Sequence, residues 1–283
     1  MTLQDFLPAA INRLQTAGIS TARLDVLVLL EDNLGTDRAV LLAHPETELG
    51  DEQIKTLDEQ IMRRASHIPL AYIRGKTEFY GREFYVDENV LEPRPESETM
   101  IDILKSLPDA KNLAIFDIGT GSGALAITAK LELSGAQVTA IDIDTACLDI
   151  AERNARALHA AIGLTESSLI ESLVASPPKK SFALLCNLPY VPDNFQINTA
   201  ASHEPRLAIF GGPDGLDIYR KLFTQVQALS QKPHYILTEA LPPQHGQLDE
   251  IARNHGFTPV QKDDFIQVFS PAASPTPGAW PLV

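Results

Sequence analysis

Cysteine is scarce, basic charge is in deficit, and long apolar runs are missing. The 283 residues contain two cysteines, Cys147 and Cys186, both in apolar segments and neither at a metal-ligand spacing. That excludes a disulfide-stapled secreted framework and points to a reducing compartment. Lysine and arginine total 23 against 37 aspartates and glutamates, a net charge of -14. A protein that tracks a nucleic-acid backbone carries the opposite excess, so broad nucleic-acid binding is not expected. No stretch reaches the roughly 20 apolar residues that cross a bilayer. The opening MTLQDFLPAAI has neither the basic region nor the apolar core of a secretory signal. The expected location is therefore the cytosol, with no membrane partner. The 7 histidines are scattered without carboxylates at ligand spacing, so no metal is expected. Neither a Ser/His/Asp arrangement nor an activated cysteine is apparent.

What is present is enough apolar residue, 44%, for one large domain and a smaller one. Residues 1–70 carry a helical pattern: Leu3, Phe6, Leu7 and Ala10 recur at helical spacing, as do Leu24, Leu27, Val28 and Leu30. Asp51 and Glu52 open a further helix with Ile54, Leu57 and Ile61 on one face and Arg63–Arg64 near its end. Residues 71–95 read as a β-hairpin linker around Tyr80–Gly81, followed by Arg94 between two prolines, expected to bridge the domains by a salt link. Residues 96–270 alternate strand and helix: LAIFDIG, GALAITAKLEL, QVTAIDID, TACLDIAERNARAL, FALLCNL, HYILTEA and FIQVFS. Such alternation predicts an α/β fold, Rossmann-like, with a mostly parallel sheet and helices on both faces. Residues 271–283 are rich in Pro, Ser and Ala and are expected to form a mobile tail, with Trp280 able to dock.

Two motifs carry chemistry. In Phe116-Asp117-Ile118-Gly119-Thr120-Gly121-Ser122-Gly123 the glycines follow the first strand, where a doubly wound sheet binds ligands. Asp142 ends the second strand about twenty residues on, where an acid accepts ribose hydroxyls; Asp144 can equally cap the next helix. Loop and acid together point to a nucleoside cofactor. The spacing is not the dinucleotide fingerprint and the Walker lysine is missing, which sets NAD and ATP back.

The second motif is LLCNLPYVPD, Leu184 to Asp193, an apolar run that ends in an amide, a forced bend and an aromatic. If the cofactor is S-adenosylmethionine and the acceptor a planar NH2, the nitrogen's lone pair is delocalised and must be drawn out. The side-chain oxygen of Asn187 can accept one N–H and the carbonyl of Leu188 the other. Leu188 precedes proline and is held extended, Pro189 fixes the bend, and Tyr190 can form a wall. A plain proline turn after a strand remains the alternative.

The chain resembles the release-factor glutamine methyltransferases of the HemK type. The resemblance runs from about Leu24 to Phe269 through RRASHIPLAYIRGKTEFYG, VLEPRPESET, FDIGTGSGALAI, AIDID, NLPY and EPRLAIFGGPDGLDIYR. It implies a class I S-adenosylmethionine-dependent methyltransferase with a seven-stranded sheet and an N-terminal helical domain that docks the substrate. It further implies that Gly119, Thr120, Gly121, Ser122 and Gly123 hold the cofactor's methionine end and Asp142 its ribose, with Asn187 also beside the cofactor. Asn187, Leu188, Pro189 and Tyr190 would then hold and activate the acceptor, the glutamine of the Gly-Gly-Gln loop of a peptide-chain release factor. Two departures stand out. Leu188 replaces the usual proline, as in the Asn-Leu-Pro-Tyr of ribosomal-RNA adenine dimethyltransferases, and the expected acid and aromatic near adenine are replaced by LIESLVAS, where Glu171 is the only acid. An amino-methyltransferase of RNA or DNA adenine, and a non-catalytic cofactor-binding homologue, are the competing readings.

Overall fold

The structure, a computed structural model, describes residues 1–272. The expected tail, Trp280 included, lies outside the described residues apart from Pro271 and Ala272. Two compact units divide the chain: Met1–Thr77 with Val86–Glu88 and Gln196–Glu204, and Glu78–Tyr85 with Asn89–Phe195 and Pro205 onward. Among the described residues no helix is long and apolar enough to cross a membrane.

The first unit is helical: α1 (Leu3–Thr16), α2 (Ala22–Leu34), α3 (Arg38–Ala43), α4 (Asp51–Ala65) and α5 (Leu70–Arg74). Leu3, Phe6, Ala10 and Leu14 of α1 are buried at helical spacing and pack with Val26, Leu29 and Leu30 of α2 and Leu57 and Ile61 of α4. Leu24, expected on the buried face, is 47% exposed; Val26 and Leu29 take that face instead. The last-turn arginine Arg64 does more than oppose the helix dipole. Its Nε donates to Asp25 Oδ2 at 2.7 Å, neutralising a carboxylate that is otherwise buried.

Strands β1 (Lys76–Phe79) and β2 (Arg82–Tyr85) pair in a two-stranded sheet. The expected strand from residue 71 is in fact α5, which Gly75 ends at φ +69. The hairpin turns at Tyr80 and Gly81, both at positive φ, as a tight two-residue β-turn requires. Tyr80 tolerates this because its N–H donates to Glu98 Oε1 at 2.7 Å and its hydroxyl to Asp102 Oδ1 at 2.6 Å.

The second unit continues through α6 (Glu98–Ser106), β3 (Ala114–Ile118), α7 (Ala124–Glu132), β4 (Gln137–Asp142), α8 (Thr145–Ala157), β5 (Gly163–Glu166) and α9 (Glu171–Ala175). It then runs through β6 (Phe182–Cys186), α10 (Arg206–Ile209), α11 (Asp217–Ala228), β7 (Tyr235–Glu239), α12 (His245–Asn254), β8 (Phe257–Asp263) and β9 (Ile266–Pro271). The strands form a 7-stranded sheet in the order β5-β4-β3-β6-β7-β9-β8. The pairs from β5 to β7 are parallel, and β9 runs antiparallel to both β7 and β8. Every residue of β6 is buried, as a central strand covered on both faces demands. The mostly parallel α/β sheet matches the expectation. Two strands were not foreseen. β5 is four half-exposed residues at one edge, and β8 is a largely exposed edge strand interrupted at Pro259, so neither shows an apolar run.

Chain order reverses between β3 and β6, the switch point where a doubly wound sheet opens a crevice beyond its carboxyl edge. A buried amide secures the loops on that side. Asn154 of α8 accepts from Tyr85 N at 2.8 Å and donates to the carbonyls of Tyr85 and Ser122 at 3.0 and 2.9 Å. It thereby ties the hairpin to the glycine loop. Asn154→Ala leaves three backbone groups without their partner and should cost about 2–3 kcal/mol. A urea midpoint equal to the parent's would contradict this.

Candidate active site

A cavity of about 530 Å³ opens at the carboxyl edge of β3, β4 and β6. The glycine loop forms one wall, with Gly119, Thr120, Gly121 and Ser122 lining it; Gly123 does not, because it sits at φ +81 against Ala151 and starts α7. Gly121 lies at φ +54, and a Cβ there would meet nothing within 4 Å. The loop therefore leaves room for a ligand to approach its backbone.

Asp142 and Asp144 both line the cavity, and their roles separate. Asp144 Oδ1 accepts from Ala146 N at 2.9 Å and caps α8. Asp142 is only 8% exposed, with its oxygens accepting from Gly121 N at 2.9 Å and Asp144 N at 3.0 Å. Burial pushes its carboxyl up, while these backbone N–H groups favour the anion. A buried acid beside an open glycine loop fits the ribose of a nucleoside cofactor.

Asp117, within the first motif but assigned no role from sequence, is the hidden support of the loop. Thr120 Oγ1 and Ala126 N donate to its Oδ2 at 2.6 and 3.1 Å, and its Oδ1 has no partner among the described residues. Thr120 thus spends its hydroxyl inward. Burial pushes the Asp117 carboxyl up to about 7, against the two hydrogen bonds. Its position, last but one in a buried strand, is the signal that identifies it.

The third wall is the 187–190 corner. Asn187, Leu188 and Pro189 line the cavity. Asn187 Nδ2 donates to Ser97 Oγ at 2.9 Å, and the Leu188 N–H lies 3.4 Å from the Tyr219 hydroxyl. Among the described residues, neither Asn187 Oδ1 nor the Leu188 carbonyl accepts a hydrogen bond. The Leu188 side chain is buried, and its Cδ2 comes within 3.1 Å of where a Gly119 Cβ would stand. The two motifs are therefore packed against each other. Tyr190 is not on the wall. Its ring packs in the core behind and its hydroxyl donates to Glu239 Oε1 at 3.1 Å. Glu239 and Ser97, neither predicted, complete the corner through a 2.6 Å bond from Ser97 Oγ to Glu239 Oε2.

Glu171 does not move into the cavity. It lies in α9 with Oε1 3.5 Å from Gln225 Nε2, and the wall there is Ser167, Ser168 and Leu169. Pro205 and Arg206 also line the cavity, with the Arg206 guanidinium 4.4 Å from the Phe210 ring centre. The Arg94 guanidinium stands 3.6 Å from the Glu92 carboxylate.

Behind the corner lies Gly211-Gly212-Pro213-Asp214-Gly215. It is a close-packed buttress: a Cβ on Gly215 would fall 2.0 Å from the Tyr190 carbonyl oxygen, and one on Gly211 2.3 Å from that of Pro189. Gln244 Nε2 fastens both sides, donating to the carbonyls of Tyr190 and Asp214 at 2.7 and 2.8 Å. Gly215→Ala should therefore displace the corner and lower turnover by roughly a hundredfold; parental turnover would show that the buttress is dispensable. Asp117 gives a pH prediction. Its carboxyl rises from 3.8 to about 7 on folding, so the fold is favoured by its protonated form and loses that stability as pH climbs through this range. Asp117→Asn should match the parent in melting temperature near pH 4 and exceed it above pH 7. A gap that does not change with pH would contradict the assignment.

The family described as the PrmC N-terminal domain matches residues 5–75, and that of the ribosomal protein L11 methyltransferase (PrmA) matches residues 97–177. A release factor glutamine methyltransferase of Koribacter versatilis is 38% identical over 231 residues, 80% of this chain and 81% of that protein. One from Moorella thermoacetica is 36% identical over 261 residues, covering 90% and 91%, and one from Caulobacter vibrioides 33% over 267 residues, covering 92% and 91%. Among solved structures, the hMettl16 catalytic domain in complex with the MAT2A 3′UTR hairpin 1 aligns with a TM-score of 0.53 at 14% identity, over 81% of this chain and 84% of that one. That likeness shows the fold alone, a class I methyltransferase sheet. Coverage of nearly the full length at these identities decides the family: the chain belongs to the S-adenosylmethionine-dependent release factor glutamine methyltransferases.

Proposed function

We propose that the chain methylates the side-chain nitrogen (N5) of the glutamine in the Gly-Gly-Gln loop of a peptide-chain release factor, in the cytosol. One observation carries this reading: two adjacent acceptors, Asn187 Oδ1 and the Leu188 carbonyl, accept no hydrogen bond among the described residues, on a corner that lines the same cavity as the glycine loop and Asp142. A carboxamide NH2 needs such a pair.

S-adenosylmethionine, when bound, supplies an electrophilic methyl group. The chain's own residues do the rest. Gly119, Thr120, Gly121 and Ser122 are assigned the methionine end and Asp142 the ribose hydroxyls, with Gly123 starting α7 behind them. Asn187 and Leu188 each accept one N–H of the acceptor amide, fixing its plane and drawing electron density onto nitrogen. Both bonds strengthen as the nitrogen gains positive charge, each contributing roughly 1–3 kcal/mol to the transition state. No base is needed beforehand, because the proton is lost after transfer. Pro189 holds the bend and Tyr190 braces it from behind. Leucine at 188 is compatible with this role because the group used is a backbone carbonyl. Residues 1–70 are assigned release-factor docking.

The Asn-Leu-Pro-Tyr sequence supports one rival, methylation of an adenine amino group, since that is also a planar NH2. The net charge of -14 weighs against it. Labelled cofactor offered with a release factor and, separately, with RNA decides: label on the release factor alone is expected, and label on RNA alone would overturn the reading. Asn187→Ala should lower turnover by about a hundredfold or more while leaving S-adenosylhomocysteine affinity within about twofold. Undiminished turnover would remove Asn187 from its role.

A further inference from the structure

We propose that Glu239 and Ser97 are positioning residues that decide which end of the Asn187 amide is offered to the acceptor, so that the site is active with Glu239 ionised and silent with it protonated. The inference rests on the reading of Asn187 given above.

A serine hydroxyl has one proton, and here two neighbours compete for its use. Ser97 Oγ lies 2.6 Å from Glu239 Oε2 and 2.9 Å from Asn187 Nδ2. Ser97 is 2% exposed and Glu239 1%, so both are shielded from bulk water. An ionised Glu239 can only accept. Ser97 must then donate to it, and its oxygen is left able only to accept. Asn187 meets that demand with its NH2, which turns its carbonyl oxygen to the free side. A protonated Glu239 reverses every step. Its O–H can donate to Ser97, which frees the Ser97 proton for Asn187, and the amide then turns its oxygen inward. The NH2 then faces the acceptor and repels the N–H it is meant to hold.

Glu239 closes β7 one residue beyond the last β6–β7 ladder pair, Cys186–Thr238, and so stands beside Asn187 at the strand ends. The Tyr190 hydroxyl donates to Oε1, the Tyr219 hydroxyl meets its backbone, and Glu96 and Arg94 act on it as opposite charges. Burial raises its carboxyl above the usual range, while the two hydroxyl donors hold it down. Activity should therefore be lost on the acid side, as pH falls through the Glu239 titration.

The test reads the Asn187 side chain directly. In 15N-labelled protein saturated with S-adenosylhomocysteine, the Asn187 NH2 resonance is identified by its absence in Asn187→Ala. It should shift in one step as pH is lowered, and Glu239→Gln and Ser97→Ala should both abolish that step. Turnover of Ser97→Ala should fall about tenfold, with S-adenosylhomocysteine affinity within about twofold of the parent. An Asn187 resonance that titrates identically in the parent and both variants would overturn the proposal, as would parental turnover in Ser97→Ala. Should the parent fail to methylate a release factor, the functional reading falls while the resonance still decides the relay.

Discussion

β6 has to stop at one residue and hand over a corner, and the hydroxyl of Tyr219 enforces that stop. It lies fully buried, 2.9 Å from the carbonyl of Cys186 and 2.6 Å from that of Glu239, just where the ladder between β6 and β7 runs out. The N–H groups of Leu188 and Glu239 point to the same oxygen at 3.4 and 3.3 Å. Four backbone groups at two strand ends, which pairing no longer satisfies, are gathered by one side chain. Without it they would be buried and partly unpaired, a cost of several kcal/mol at the point where the site begins. The same clamp sets Asn187 and Glu239 side by side.

The corner is also held from two other directions. Leu188 packs into the space that a side chain at Gly119 would need, so the glycine loop and the corner fix each other. The Gly211–Gly215 buttress fills the rear, with Gln244 bridging it to the Tyr190 carbonyl. Three acids, Asp117, Asp142 and Glu239, are buried around this frame, and burial pushes all three carboxyls up. A core built for stability alone would avoid them. Their clustering at the end of a switch-point crevice marks a site where stability has been traded for chemistry.

Much of this was legible in the chain itself. The glycine loop, Asp142 and Asn187–Pro189 come from short motifs at strand ends, where local sequence determines local geometry, and the structure gathers them around one cavity. The central strands were legible too, because burial on both faces leaves an unbroken apolar run, as in Phe182–Cys186. Edge strands such as Phe257–Asp263 carry no such signal, since their outward residues are free to be polar. What stayed hidden were partners brought together by topology. Ser97 reaches Asn187 from 90 residues away, and Glu239 reaches Ser97 from 142. No spacing rule relates them. Tyr190 shows the converse: its motif suggested a wall, but its hydroxyl bonds to Glu239 and the residue does not line the cavity.

The central claim is that a planar amide nitrogen is held by two oxygens of one backbone corner. A crystal structure with S-adenosylhomocysteine and a Gly-Gly-Gln peptide examines that most directly. The account predicts the glutamine nitrogen within hydrogen-bond distance of both Asn187 Oδ1 and the Leu188 carbonyl, facing the cofactor sulfur. A glutamine bound elsewhere, or met by the Asn187 NH2, would contradict it.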